Sequence, residues 1–286
     1  MRHLQAFAHN GYVPFTLSHA AAALPFRRAR LVPSALVIGT FAPDLEYFIR
    51  LVPGGGWGHT IAGAFGMDLS LGLVCLWLFH RWVKIPLAYL LPDSVRGRLT
   101  PLLAPFHFGP LRRFLHICAS MLIGSATHIV WDGFTHPQYW GVRHVPFLLH
   151  YPRLPWLRLE PWCDVLQDFS TLAGFAVVII FCFIWLRRSK PDDSIPRNPL
   201  RSAHRAAIAL AGSAVAILGA ILRVSLGIAI HENNFVRQEY IEQFVVTFGA
   251  LVWWQLALWG LLGPFRHVHA TAARSREYAQ SGTFFE

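Results

Sequence analysis

Residues 114–137 read FLHICASMLIGSATHIVWDGFTHP. The first half is an apolar run fit for lipid, and the second half sets His128, Asp132 and His136 at steps of four. On an α-helix each step of four advances about 40° around the axis, so three potential ligands share one face. Pro137 stops such a helix, and Gly133 allows a bend just before it. A membrane-crossing helix that ends in a stripe of imidazole and carboxylate is the feature around which the other segments arrange themselves.

Only 14% of the 286 residues are charged and 54% are hydrophobic, with a mean hydropathy of +0.41. A soluble domain carries about 25% charged residues. That deficit, with repeated apolar runs of about 20 residues, indicates a polytopic membrane protein. Apolar runs bounded by charge and proline predict seven segments: 14–27, 33–51, 59–80, 113–135, 165–187, 205–230 and 238–263. The expected fold is therefore all-α, a polytopic helical membrane protein with about six to seven membrane-embedded helices. It comprises an N-terminal tail (1–13) with no apolar core of signal type, one helical membrane domain (14–263) and a polar C-terminal tail (264–286). The first segment would reach only about 21 Å as an α-helix, short for a hydrocarbon core of about 30 Å, so it half-spans or tilts.

The net charge of +10 raises the question of nucleic acid. Its distribution answers otherwise. Of the 25 lysines and arginines, 18 fall on one side of the seven-segment topology and 6 on the other, leaving Arg223 inside the sixth segment. Basic residues mark cytoplasmic loops, so the bias places the N-terminus outside and the C-terminus in the cytoplasm of a bacterial inner membrane. The basicity is a topology signal, and the expected partner is the lipid bilayer rather than nucleic acid.

That topology brings one depth of the outer side an unusual set: His19, Asp44, His59, His128, Asp132 and His136. Neutral imidazole and carboxylate suit a divalent metal, zinc first, with manganese or iron for carboxylate-rich variants. Asp132 or Asp44 has the reach to bridge two ions, and a metal lowers the pKa of bound water towards 7. Asp132 and His128 are the expected catalytic pair. The alternative is a polar network that hydrogen-bonds helices together at about 0.6 kcal/mol per link. Ionisable groups in a membrane are costly, however, and point to function.

Elsewhere, Asp68 and Arg223 lie in apolar runs and are expected to pair with each other. Glu46, two residues from Asp44, points to another side of its helix, towards water or a supporting role as base. Trp57, Trp131, Trp140, Trp156 and Trp162 crowd the outer boundary as an interfacial belt. The outer loop 137–164 exceeds the roughly 12–15 residues usual for unstructured connections, as lids and binding elements do. Cys75, Cys118, Cys163 and Cys182 lack CxxC spacing, so neither a disulfide framework nor a thiolate metal site is expected.

Four blocks, PFTLSHAAAALP (14–25), LVIGTFAPDLEYF (36–48), GHTIAGAFGMDLSLGL (58–73) and HIVWDGFTHP (128–137), resemble the signature of a bacterial integral-membrane family, domain of unknown function 4184. The resemblance runs from about Pro14 to Ser170 and implies the membrane class without an established activity. More distantly, the order His, PD, HT, HxxxD is similar to inner-membrane metal-dependent hydrolases and to zinc-dependent phospholipase C. That likeness implies His19, Asp44, His59, His128 and Asp132 as ligands. An N-terminal tryptophan ligand and an HxxxE after the HxxxD are missing here, which reduces the expectation to one or two metals. The functional expectation is a metal-dependent hydrolase acting on an ester or phosphoester, lipid-like substrate at the outer face. The alternative is a transporter or scaffold built on a structural His/Asp network.

Overall fold

The computed structural model describes residues 16–51, 57–152, 160–192, 197–231 and 237–263, and every regular element among them is helical. The tails at 1–13 and 264–286 lie outside the described residues, as do 153–159 and 193–196 of the two long loops. A leading 3-10 helix (Thr16–Arg28) is followed by α1 (Pro33–Gly39), a 3-10 turn (Ala42–Asp44) and α2 (Leu45–Arg50). Then come α3 (Ile61–Leu90), α4 (Asp93–Leu103), α5 (Leu111–Thr135), α6 (Trp140–His144), α7 (Trp162–Arg188), α8 (Ser202–His231) and α9 (Arg237–Leu262).

Five of these helices, α3, α5, α7, α8 and α9, are long and apolar enough to cross a membrane. Their outward faces are greasy: Phe169, Leu172, Ile180 and Phe183 on α7, and Leu210, Leu218 and Leu222 on α8, stand exposed. In water a surface of that kind would aggregate. Against lipid it is the required solvent face, and helices satisfy their own backbone groups there. The chain is an all-α polytopic integral membrane protein.

Two of the seven expected segments are corrected. Segment 33–51 is not one helix, because Pro43 has no N–H to offer the Gly39 carbonyl. The chain leaves α1 after Gly39 and tightens into the 3-10 turn, in which Asp44 N–H bonds the Phe41 carbonyl at 3.0 Å. The Thr40 carbonyl, which a continuous helix would have given to Asp44, is left free for another donor. Segment 59–80 runs on to Leu90, carrying Arg81 and Lys84 on the helix rather than in a loop. Pro86 should break it there. Instead a π-turn at Phe79–Val83 precedes the proline, and the Trp82 carbonyl, deprived of its partner, presses against Gly260 of α9. Single π-turns of this sort absorb such a mismatch.

The core lies where α1, α3 and α5 meet, around Ala35, Ile38, Leu76, Ile117 and Met121. Glycines set the approach. A Cβ at Gly39 would collide with the Met121 backbone, one at Gly124 with the Leu36 carbonyl, and one at Gly72 with the Met121 sulfur. Small residues let membrane helices come this close, where packing supplies the attraction that hydrophobicity cannot. The leading helix runs along α7, with Ser18 seated on Gly174. At the end away from Asp132, the Asn198 amide donates to the Tyr89 carbonyl at 2.8 Å, and its backbone N–H to Asp93 Oδ1 at 3.1 Å. There the hydrogen bond from Arg96 holds the Asp93 carboxyl below its ordinary range. The two loops expected on one side of the membrane are thus docked on each other.

The expected Asp68–Arg223 pair does not form. Asp68 Oδ2 accepts from Ser125 Oγ at 2.7 Å, and the Arg223 guanidinium faces the Gln243 carboxamide oxygen at 3.1 Å.

Candidate metal centre

Thr16 and His19 are three residues apart on a 3-10 helix, whose three residues per turn put them on one face. Both are buried. The Thr16 hydroxyl donates to Asp44 Oδ2 at 2.9 Å, while His19 Nε2 lies 3.6 Å from Asp132 Oδ1. Asp44 ends the 3-10 turn that Pro43 imposes. His59 immediately precedes the N-cap of α3, Thr60, whose Oγ1 accepts from the Gly63 N–H at 2.9 Å and so pins the helix start. His128 and Asp132 stand on one face of the last two turns of α5, fully buried.

His136 departs from its expected place. The helix ends at Thr135, and His136 caps it with extended backbone (φ −121°, ψ 128°). Its Nδ1 is 3.9 Å from Asp132 Oδ2 and 3.1 Å from Thr135 Oγ1. His136 therefore borders the set from the capping turn instead of extending the helical stripe.

Four atoms form the inner set: His59 Nε2, His128 Nε2, Asp44 Oδ1 and Asp132 Oδ2. His59 Nε2 lies 3.2 Å from His128 Nε2, 3.3 Å from Asp132 Oδ2 and 3.6 Å from Asp44 Oδ1. His128 Nε2 lies 3.2 Å from Asp132 Oδ2 and 3.5 Å from Asp44 Oδ1. Tetrahedral zinc with ligands at about 2.0–2.2 Å has ligand–ligand edges of about 3.3–3.6 Å. The five edges made by the two imidazole nitrogens fall at or within about 0.1 Å of that range.

Hydrogen bonding fixes which nitrogen of His128 is turned to the set. His128 Nδ1 lies 2.9 Å from the Thr40 carbonyl, the one freed by the break after α1. Only an N–H suits that oxygen, so Nδ1 carries a proton and Nε2 is the atom turned to His59 and to two carboxylates. Two carboxylates and a second imidazole around one nitrogen call for a positive charge among them, a bound cation or a proton on a ring nitrogen. Backbone or carboxylate partners that fix a ligating imidazole in this way are usual around metals. Asp132 Oδ1 and His19 Nε2 are buried and have no hydrogen-bond partner among the described residues. The donor chemistry, spacing and orphaned atoms all fit a divalent ion.

Aromatic rings close the set. Tyr139, at the start of α6, lies nearly parallel to His59 with ring centres 5.4 Å apart, and 5.5 Å from His136. Burial, then the charges of Asp132 and Asp44, push its phenol well above the ordinary range, so it stays protonated. Glu46 turns away to Arg50 at 3.8 Å. Trp57, Trp131 and Trp140 stand exposed around this end; Trp156 lies outside the described residues. The described part of loop 137–164 is structured: α6, a 3-10 turn at Pro146–Leu149, and Phe147 stacked on Trp162 at 5.9 Å.

Thr16, the Thr40 carbonyl, Tyr139 and the Asp68–Ser125 pair were not anticipated. Only Thr16 had a signal, its spacing of three from His19, and that counts only if the helix is 3-10.

A helical membrane protein with a buried His/Asp cluster at one end of its bundle is the class these features define. A family model described as Domain of unknown function (DUF4184) matches residues 13–261, and the chain belongs to that family. No curated protein and no solved structure matches it.

Proposed function

We propose that this protein is a metal-dependent hydrolase embedded in a bacterial inner membrane, cleaving an ester or phosphoester of a lipid-like substrate at the extracytoplasmic face. The observation that carries the reading is the ligand-like spacing of His59 Nε2 and His128 Nε2 to each other and to the carboxylates of Asp44 and Asp132. A divalent ion held there would act as a Lewis acid and acidify a water near neutral pH. Thr16 and the Thr40 carbonyl fix the outer atoms of Asp44 and His128, so the donors stay aimed at one point. Asp132 Oδ1 and His19 Nε2, 3.6 Å apart and without hydrogen-bond partners among the described residues, would be available to a bound group. Tyr139 keeps its proton, because burial and then the charges of Asp132 and Asp44 raise its phenol, and so it would serve as a neutral hydrogen-bond donor rather than as a base. The ring of Trp57, Trp131 and Trp140 suits the headgroup level, where a lipid substrate would enter.

A transporter needs a polar route onward. Along α1, α3 and α5 the polar groups reach as far as Asp68 and Ser125, and beyond them the apolar cluster of Ala35, Leu76, Ile117 and Met121 intervenes before the pair His80 Nε2 and Ser34 Oγ at 3.0 Å. That seal favours a site that works from one face.

Elemental analysis of detergent-purified protein is expected to find at least one equivalent of zinc, manganese or iron per chain, with added metal raising thermal stability by several degrees. Binding at a hundredfold excess over Kd adds about 2.7 kcal/mol. Protein that carries no metal, and gains no stability from zinc or manganese, is instead a scaffold whose His/Asp set is a hydrogen-bond network. Orientation is tested separately: a reporter after Arg276 should read as cytoplasmic and one at His150 as extracytoplasmic. The reverse result moves the site to the cytoplasmic face.

A further inference from the structure

We infer that the centre takes a second divalent cation, between His19 Nε2 and Asp132 Oδ1, and that this cation binds together with a phosphoryl oxyanion. The inference rests on the metal reading above and narrows the substrate to a phosphoester. Asp132 commits Oδ2 to the inner set, 3.2 Å and 3.3 Å from the two imidazole nitrogens. Its other oxygen, Oδ1, is a separate buried atom with no hydrogen-bond partner among the described residues, and so is His19 Nε2. The two lie 3.6 Å apart, the spacing of two ligands on one ion at about 2.1 Å. His19 is 94% buried, since 6% of its surface is exposed. A buried imidazole and a carboxylate oxygen both lacking a partner are costly unless something positive joins them.

The position of His19 separates the two ions. Its ring stacks on His128 with centroids 4.0 Å apart and planes 24° from parallel. Two nearly parallel imidazoles one ring-spacing apart offer their Nε2 atoms to neighbouring points. Paired catalytic ions stand about 3.5–4 Å apart. Asp132 then bridges them, one oxygen to each.

Charge decides what must come with the second ion. The carboxylates of Asp44 and Asp132 balance one divalent cation, and the imidazoles add nothing when neutral. A second cation in this burial leaves an excess of positive charge even with Asp68, the third buried carboxylate beside the cluster, ionised, and a low-dielectric interior disfavours that excess. The second ion also has only two protein donors, against four for the first, so it keeps open positions. A phosphoryl group with two negative oxygens supplies both the missing ligands and the missing charge, whereas a neutral carboxylic ester supplies neither charge. Cation and oxyanion therefore bind cooperatively, each raising the affinity of the other by the same factor.

The test uses purified wild-type protein, His19→Phe, which keeps a ring on His128, and His19→Asn. Each is equilibrated with zinc, with and without phenylphosphonate, which cannot be hydrolysed, and bound zinc is counted after gel filtration. Wild type is expected to hold one equivalent alone and two with phenylphosphonate, the second tightening by about tenfold or more. Both variants should keep the first equivalent, which also reports an intact fold, and lose the second. One equivalent in wild type regardless of phenylphosphonate overturns the inference and leaves the one-ion hydrolase standing. So does a second equivalent that survives in both variants. No bound zinc under any condition removes the metal centre itself.

Discussion

Asp132→Asn is expected to yield a folded, extractable protein that retains less than about a tenth of the wild-type metal and no hydrolytic activity. The substitution keeps size and hydrogen-bonding capacity and removes only the charge. In the structure Asp132 Oδ2 faces His59, His128 and His136 at 3.3, 3.2 and 3.9 Å, and Oδ1 faces His19 at 3.6 Å. A side chain met by four imidazoles is the electrostatic hub of the cluster. Losing a residue that merely orients a ligand costs about 10–100-fold in metal affinity, so losing a charged ligand should cost more than about a hundredfold. If the cluster were only a hydrogen-bond network, the same swap would change links averaging about 0.6 kcal/mol. Metal per chain and melting temperature, measured together, separate the cases. Wild-type metal content in Asp132→Asn would remove Asp132 from the ligand set.

Gly124→Val should do the opposite, collapsing the fold and the site together. Gly124 lies where α5 crosses α1, and even a methyl group there meets the Leu36 carbonyl and the Gly39 backbone. Backbone cannot rotate aside as a side chain can, so the helices must separate. Overpacking of this kind costs up to about 3 kcal/mol, sometimes more, or a fall of about 6–12 °C in melting temperature at 2–4 °C per kcal/mol. The same separation pulls the Thr40 carbonyl from His128, so metal content should drop as well. Gly66→Ala is the control: a Cβ there has nothing within 4 Å, and neither quantity should move. A Gly124→Val protein with wild-type melting and metal would mean that the α1–α5 crossing does not set the site.

The reach of the sequence is uneven, for physical reasons. His128 and Asp132 were legible because an uninterrupted α-helix obeys one period, and the lipid-facing apolar stripe fixes its phase. Asp44 and His59 were legible as to depth alone, from where charge and proline bound their segments. Periodicity says nothing about a helix that breaks, however. The three-piece fold of 33–50, which frees the Thr40 carbonyl, depends on a proline acting four residues downstream of Gly39. His136 kept its neighbourhood but lost its helical phase, because the helix yields one residue before it. The Asp68–Arg223 pairing failed because opposite charge in two apolar runs carries no record of which helices touch. Asp68 found a hydroxyl on α5, whereas Arg223 found an amide on α9.

Burial of the cluster also governs its tempo. His128 is wholly inaccessible, and Asp44 and Asp132 expose about one part in a hundred of their surface. Nothing reaches such donors by diffusion alone; an arriving or departing species waits for a local opening, and openings are set by the weakest surrounding contacts. The capping turn at His136 and the Tyr139 ring lie directly against the cluster, outside the glycine-locked crossing of α1 and α5. Exchange of whatever the cluster holds should thus be slow beside encounter, and substitutions in residues 136–144, which lie against it, should change its rate.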